Sequence, residues 1–143
     1  MILGKKKTPN KFLPDNSPET VFEYAKSQLD RDELTLLLAL CQIVKEQGEK
    51  GPYYVNVEDV VPYDTDKKLR SVDRIIEVAR KLQSRTISYR HIEENFRKSE
   101  CTTRFINGIR TSDADLTVEI APTLLFRDYI FGKTEVETYN VFI

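Results

Sequence analysis

Apolar residues in this chain switch between helical spacing and every-second-position spacing, with turn-forming residues at each changeover. Ser17-Pro18-Glu19-Thr20 reads as a helix start, and the helix runs from about Pro18 to Gln28. A stronger helix covers Asp30 to Glu46: Asp30 caps it, Asp32 and Glu33 occupy the electropositive first turn, and Leu34, Leu37, Leu38, Cys41 and Val44 form an apolar stripe. Leu36, Leu40 and Ile43 widen that stripe, so this is the expected central core helix. After the turn Gly48 to Pro52, Tyr53-Tyr54-Val55-Asn56-Val57 is a short β-type run. A brief helical segment, Glu58 to Val61, then stops at Pro62.

Asp64, Thr65 or Asp66 is available as the next cap, and Lys67 to about Ser84 predicts a long amphipathic helix. Thr86-Ile87-Ser88-Tyr89 is a candidate strand, and the residues from there through Thr103 read as a polar loop. Two alternating runs, Phe105 to Ile109 and Leu116 to Ile120, flank the turn-rich Thr111-Ser112-Asp113-Ala114-Asp115 and predict a hairpin. Pro122 is expected at the first position of a helix reaching about Ile130, with Leu124, Leu125 and Tyr129 inward and Gly132 ending it. The run Val136 to Ile143 is β-branched and aromatic; with no polar tail after it, it suggests a fragment, or a strand that pairs with another copy. The order of short strand, short helix, tight turn, long helix and hairpin implies an α+β fold, a winged helix with a helix-turn-helix and a β-hairpin wing.

Composition narrows the class. At 143 residues the chain can bury about 70% of its unfolded surface and needs no disulfide or metal staple. The apolar stretch Leu34 to Val44 is about half the length of a bilayer span, so no membrane contact is expected. The Met1 to Lys7 start lacks the order of a secretory signal, which implies a cytoplasmic protein. Cys41 and Cys101 lack both disulfide density and metal spacing and read as reduced thiols. Residues 1–17, with Lys5, Lys6, Lys7, Pro9 and Pro14, are expected to be a mobile arm ahead of one domain over 18–143.

The net charge of −1 conceals segregation. Between Lys67 and Arg90 there are eight basic and two acidic residues, a local +6, which leaves −7 for the remainder. On a helical wheel, Leu69, Val72, Ile75, Ile76, Ala79 and Leu82 span roughly 140°. Lys67, Arg70, Arg74, Lys81 and Arg85 span roughly 60° opposite them, diluted only by Glu77. Charges opposite a core stripe are ordinarily just solvated. Single-sign purity and the place after a helix-turn pattern favour instead a recognition helix directed at a DNA groove. If six cations met phosphates, log affinity would fall with log salt at a slope of about −5.

The chemistry of catalysis is thin. His91 is the single histidine and has no partner at catalytic or zinc spacing. Glycines 48, 51, 108 and 132 are isolated turn residues rather than a phosphate-cradling loop. The pairs Asp32/Glu33, Glu93/Glu94 and Asp113/Asp115 sit in cap or loop contexts. The expectation is a non-enzyme without cofactor or metal.

Ser84-Arg85-Thr86-Ile87, the hairpin pieces Phe105 to Ile109 and Leu116 to Ile120, Ala121-Pro122-Thr123-Leu124-Leu125, and Thr138-Tyr139 together resemble the first winged-helix domain of plasmid replication-initiator (Rep) proteins. The leucine-rich helix and Val57-Glu58-Asp59-Val60 fit as well, so the resemblance covers about residues 17–143. It implies a DNA-binding and dimerising module of an initiator that reads origin repeats (iterons) or an operator in double-stranded DNA, forms a homodimer and recruits host replication factors. The chain is expected to be an isolated first domain without the family's second winged-helix domain, which shifts the expectation toward dimerisation and non-specific or half-site contact. In that reading Lys67, Arg70, Arg74, Lys81 and Arg85 lie along the long helix, while Arg104 and Arg110 flank the first hairpin strand and reach the backbone from the wing. A winged-helix transcription regulator, or a purely dimerising domain with little DNA affinity of its own, are the alternatives.

Overall fold

The computed structural model describes residues 18–92, 98–111 and 116–132. The expected arm over 1–17, the wing-turn residues 112–115 and the run Val136 to Ile143 lie outside the described residues.

Helix α1 (Pro18–Lys26) buries Val21, Phe22 and Ala25. Helix α2 (Arg31–Gln47) begins at a reciprocal capping box: the Glu33 N–H donates to Asp30 Oδ1 at 2.8 Å, and the Asp30 N–H donates to Glu33 Oε1 at 3.1 Å. As expected, it is the central helix and packs against three other helices and a strand. Its core face is Leu36, Leu37, Ala39, Leu40 and Val44, whereas Leu38, expected inward, is exposed. Gly48 ends it with φ at 101°, a left-handed value that suits a residue without Cβ.

Strand β1 (Tyr54–Val55) leads into α3 (Val57–Val60), which a second reciprocal box between Asn56 and Asp59 caps. The chain tightens into a 3₁₀ turn over Val61–Tyr63, where Pro62 cannot continue the α-helical ladder. The expected helix from Lys67 actually starts later: α4 spans Val72–Gln83, with Ser71 as cap accepting from the Arg74 N–H at 3.1 Å. The reason lies at Asp64. Its buried carboxylate accepts from the Lys68 and Leu69 N–H groups at 2.9 Å each, which fixes a turn that is not helical, with Lys67 at φ 56°.

Strand β2 (Ile87–Ile92) pairs antiparallel with β3 (Lys98–Thr103), Ile87 opposite Thr103 and Tyr89 opposite Cys101. The expected polar loop through Thr103 therefore ends in a strand. Its partner supplies the buried apolar side chains, Ile87 and Tyr89, so Lys98 to Thr103 needs no apolar alternation of its own. Strand β4 (Ile106–Thr111) pairs with β5 (Val118–Pro122), confirming the expected hairpin, and β1 joins β5 to give a three-stranded sheet of order β1-β5-β4. Pro122 closes β5 rather than opening a helix; Thr123 caps α5 (Leu124–Ile130) by accepting from the Phe126 N–H at 3.1 Å. Leu125, Phe126 and Ile130 face inward, while Leu124, expected inward, is exposed. Phe22, Phe105 and Phe126 meet with ring centroids 5.0 to 5.4 Å apart, locking α1 and α5 onto the start of β4.

Candidate nucleic-acid interface

Helix α4 packs on α2, β4 and β5 through Ile75, Val78, Ala79 and Leu82. The side chains pointing most directly away from that core are Asp73, Glu77, Arg80 and Ser84, all exposed and of mixed charge. The cation row lies beside them, on the flank that faces α2. Arg74 Nη2 reaches Asp32 Oδ2 at 2.5 Å and its Nη1 reaches Glu77 at 2.8 Å, while Lys81 Nζ bonds Asp30 Oδ2. Arg85 closes a two-point fork on Glu33, Nε to Oε2 at 2.8 Å and Nη2 to Oε1 at 2.6 Å. The expected outward row of bare cations is thus an ion-pair ladder against the first turn of α2. The side chains of Arg74, Lys81 and Arg85 nevertheless keep between 36% and 54% of their surface accessible.

The bonds set the protonation equilibria. Lys81 and the neighbouring Glu33 N–H hold the Asp30 carboxyl below its ordinary value, and Asp30 in turn raises Lys81. Glu77 first, then Asp32, raises Arg74 further, and Glu33 raises Arg85. Burial alone would push Asp64 up, but the Leu69 and Lys68 N–H groups and the Arg70 guanidinium outweigh it and hold that carboxyl below the usual range.

The remaining sequence-chosen residues occupy three places. Arg70 sits in the turn before α4, its Nε donating to Asp64 Oδ2 at 3.0 Å. Lys67 precedes it, exposed, with no ion pair among the described residues. Arg104, exposed between β3 and β4, offers its carbonyl to Thr123 Oγ1 at 2.7 Å. Arg110 projects from β4 with 81% of its side chain accessible and Glu119 across the ladder at 3.6 Å. Gln83 Nε2 donates to the Asn107 carbonyl at 3.0 Å and ties the end of α4 to the base of the hairpin. The structure brings Arg74, Lys81 and Arg85 together on one flank of α4; Lys67 and Arg70 lie in the preceding turn and Arg104 and Arg110 on the strand side.

Sequence reasoning missed the counter-ions Asp30, Asp32, Glu33 and Asp64, and the exposed cations Lys68 and Arg80. One signal was present: Val78, four residues after Arg74 and seven before Arg85, falls about 20° past the edge of the cation arc and marks that flank as covered. Among the described residues no group of three or more His, Cys, Asp or Glu is placed to hold a metal ion, and no helix is long and apolar enough to cross a membrane.

A central capped helix, a helix-turn-helix and a three-stranded antiparallel sheet ending in a hairpin define this chain as a winged-helix domain. The same fold is found in the crystal structure of the MSBI1.176 WH1 domain, a replication protein isolated from a multiple sclerosis patient. The two share a TM-score of 0.63 and 20% sequence identity over 80% of this chain and 90% of that one. No protein-family model and no curated protein matches the chain.

Proposed function

We propose that this chain is the first winged-helix domain of a plasmid replication initiator, spanning residues 18–143 behind an arm of residues 1–17, and that it binds double-stranded DNA at origin repeats or an operator. The observation that carries the reading is the shared fold with a replication protein's WH1 domain, combined with cations on α4, on the turn before it and on the hairpin strand. Lys67, Arg104 and Arg110 meet phosphate without surrendering a strong internal partner. Arg70, Arg74, Lys81 and Arg85 must share theirs with carboxylates.

The salt dependence of binding counts the contacts. The three cations without a strong partner give a log–log slope of about −3, and all seven give about −6. Fluorescence-anisotropy titration against origin repeats and against a scrambled duplex, at low and physiological salt, is the test. Binding with a slope in that range supports the reading, and a preference for repeats that survives salt adds sequence reading to it. Absence of binding to either duplex at low salt refutes it.

Self-association is the second reading. Strand β4 pairs on one side only within the described sheet, and β2 and β3 pair only with each other, which leaves backbone edges for another copy. Concentration-dependent sedimentation tests this; a monomer at every concentration counts against it. Recruitment of host replication factors belongs to the same proposal.

A further inference from the structure

We propose that the acidic first turn of α2 is an internal competitor for phosphate, which holds Arg74 and Lys81 of α4 until DNA displaces it. The inference rests on the DNA-binding reading above. Asp30 and Asp32 take the positions that phosphate oxygens would take on the α4 flank, with Asp32 Oδ2 on Arg74 Nη2 at 2.5 Å and Asp30 Oδ2 on Lys81 Nζ.

Two features make these pairs exchangeable. All four side chains keep 24% to 54% of their surface accessible, so a pair opens by side-chain rotation without exposing core. Exposed ion pairs are also weak, well within reach of competition from a phosphate backbone. Arg85 differs from them. Its partner Glu33 is completely buried and held at both oxygens, so that rung stays shut.

While a carboxylate stays on its cation the pair delivers no net charge to DNA and displaces no counterion, so in the parental chain these two contacts count only in the fraction of complexes where DNA has opened them. Removing the two carboxylate charges therefore steepens the salt dependence. D30N/D32N does this while preserving the helix start, because Asn accepts from the N3 N–H as Asp does. Glu77 still holds Arg74 as an exposed i,i+3 partner, so Lys81 gains more than Arg74.

The experiment is anisotropy titration of the whole chain and its variants with a scrambled duplex across a salt series, with circular dichroism and thermal melts to verify folding. D30N/D32N is expected to steepen the log–log slope by about one to two and to tighten binding about five-fold or more at physiological salt. E19Q/E46Q removes equal charge from the starts and ends of α1 and α2 away from this flank, and is expected to leave the slope unchanged. Adding R74A/K81A to D30N/D32N is expected to restore the parental slope. D32N alone, which touches no cap, gives the same direction at smaller size should the double variant fold poorly.

Parental binding with an unchanged slope in the folded Asn variants overturns the competitor while leaving DNA binding intact. Equal steepening by E19Q/E46Q also overturns it, because general electrostatics would then suffice. No binding by parent or variant overturns both readings, and binding by D30N/D32N alone overturns the exchange as well, because DNA would then fail to displace the carboxylates of the parental chain.

Discussion

Arg85, just past the end of α4, grips Glu33 in the first turn of α2 through both carboxylate oxygens, and Glu33 is entirely removed from solvent. The same carboxylate accepts from the Asp30 N–H, so one buried group closes a helix cap and an interhelical clamp. The two ends of the clamp are unequal, because Arg85 remains more than a third exposed. Arg85→Ala strands a buried charge and is expected to cost about 3–5 kcal/mol. Glu33→Gln keeps an acceptor for the cap and leaves a guanidinium that water can reach, so about 1–2 kcal/mol is expected. Urea unfolding of both variants measures the difference, and equal losses would show that burial of Glu33 does not govern the clamp.

Asp64 contributes acid sensitivity to the fold. Its folded pKa lies below the unfolded value of about 3.9, so its contribution is complete above that value and is lost as pH falls through the folded pKa. Stability is therefore expected to be level from neutrality to about pH 5 and to fall steeply below about pH 4. Asp64→Asn removes the charge from Arg70 and weakens the two N–H bonds, at an expected cost of about 2 kcal/mol at pH 7. Parent and variant should converge as pH falls through the folded pKa of Asp64, as read by urea unfolding across a pH series. A gap that persists at low pH would assign the loss to shape rather than charge.

These two carboxylates also show what the sequence could and could not disclose. Asp30 as a cap, the leucine stripe of α2 and the alternation of the β4–β5 hairpin are local patterns, visible in one pass along the chain. The start of α4 was hidden because Lys67, Leu69 and Arg70 extend its periodicity, while the Ser71 cap and the Asp64-centred turn, which interrupt it, are side-chain to backbone hydrogen bonds that periodicity does not register. Strand β3 was hidden because its buried apolar neighbours belong to β2. The cation row was legible as a row but not by its direction. Asp30, Asp32 and Glu33 lie about forty to fifty residues earlier in the chain, and only the packing of α2 on α4 sets them against Arg74, Lys81 and Arg85.

Cys41 is predicted to be chemically quiet. Burial against α1 and α5 pushes its thiol up to about 11, far from the range of reactive thiolates. At pH 8 its thiolate fraction falls about a hundred-fold below that of an ordinary cysteine. Alkylation followed by peptide mapping should therefore modify Cys41 about a hundred-fold more slowly in the folded chain than in urea. Comparable rates in the two states would place the thiol in a more polar environment than α2 provides.

Lys67 separates stability from binding. Its φ of 56° is left-handed, a conformation that costs an L side chain roughly 1–2 kcal/mol and glycine almost nothing. The turn is held by backbone bonds, the Lys67 N–H donating to the Asp64 carbonyl at 3.1 Å, and these survive any side-chain change. Lys67→Gly should accordingly stabilise the fold by about 0.5–1 kcal/mol after the added flexibility of the unfolded chain is set against the relief of strain. The same variant removes an exposed cation with no ion pair among the described residues, so its DNA affinity should fall and its salt slope should flatten by about one. Opposite signs in thermal melting and anisotropy would assign Lys67 to phosphate contact, since weaker binding by a more stable protein cannot arise from unfolding. Greater stability with unchanged binding would remove the turn before α4 from the interface and leave the phosphate contacts to α4 and the hairpin.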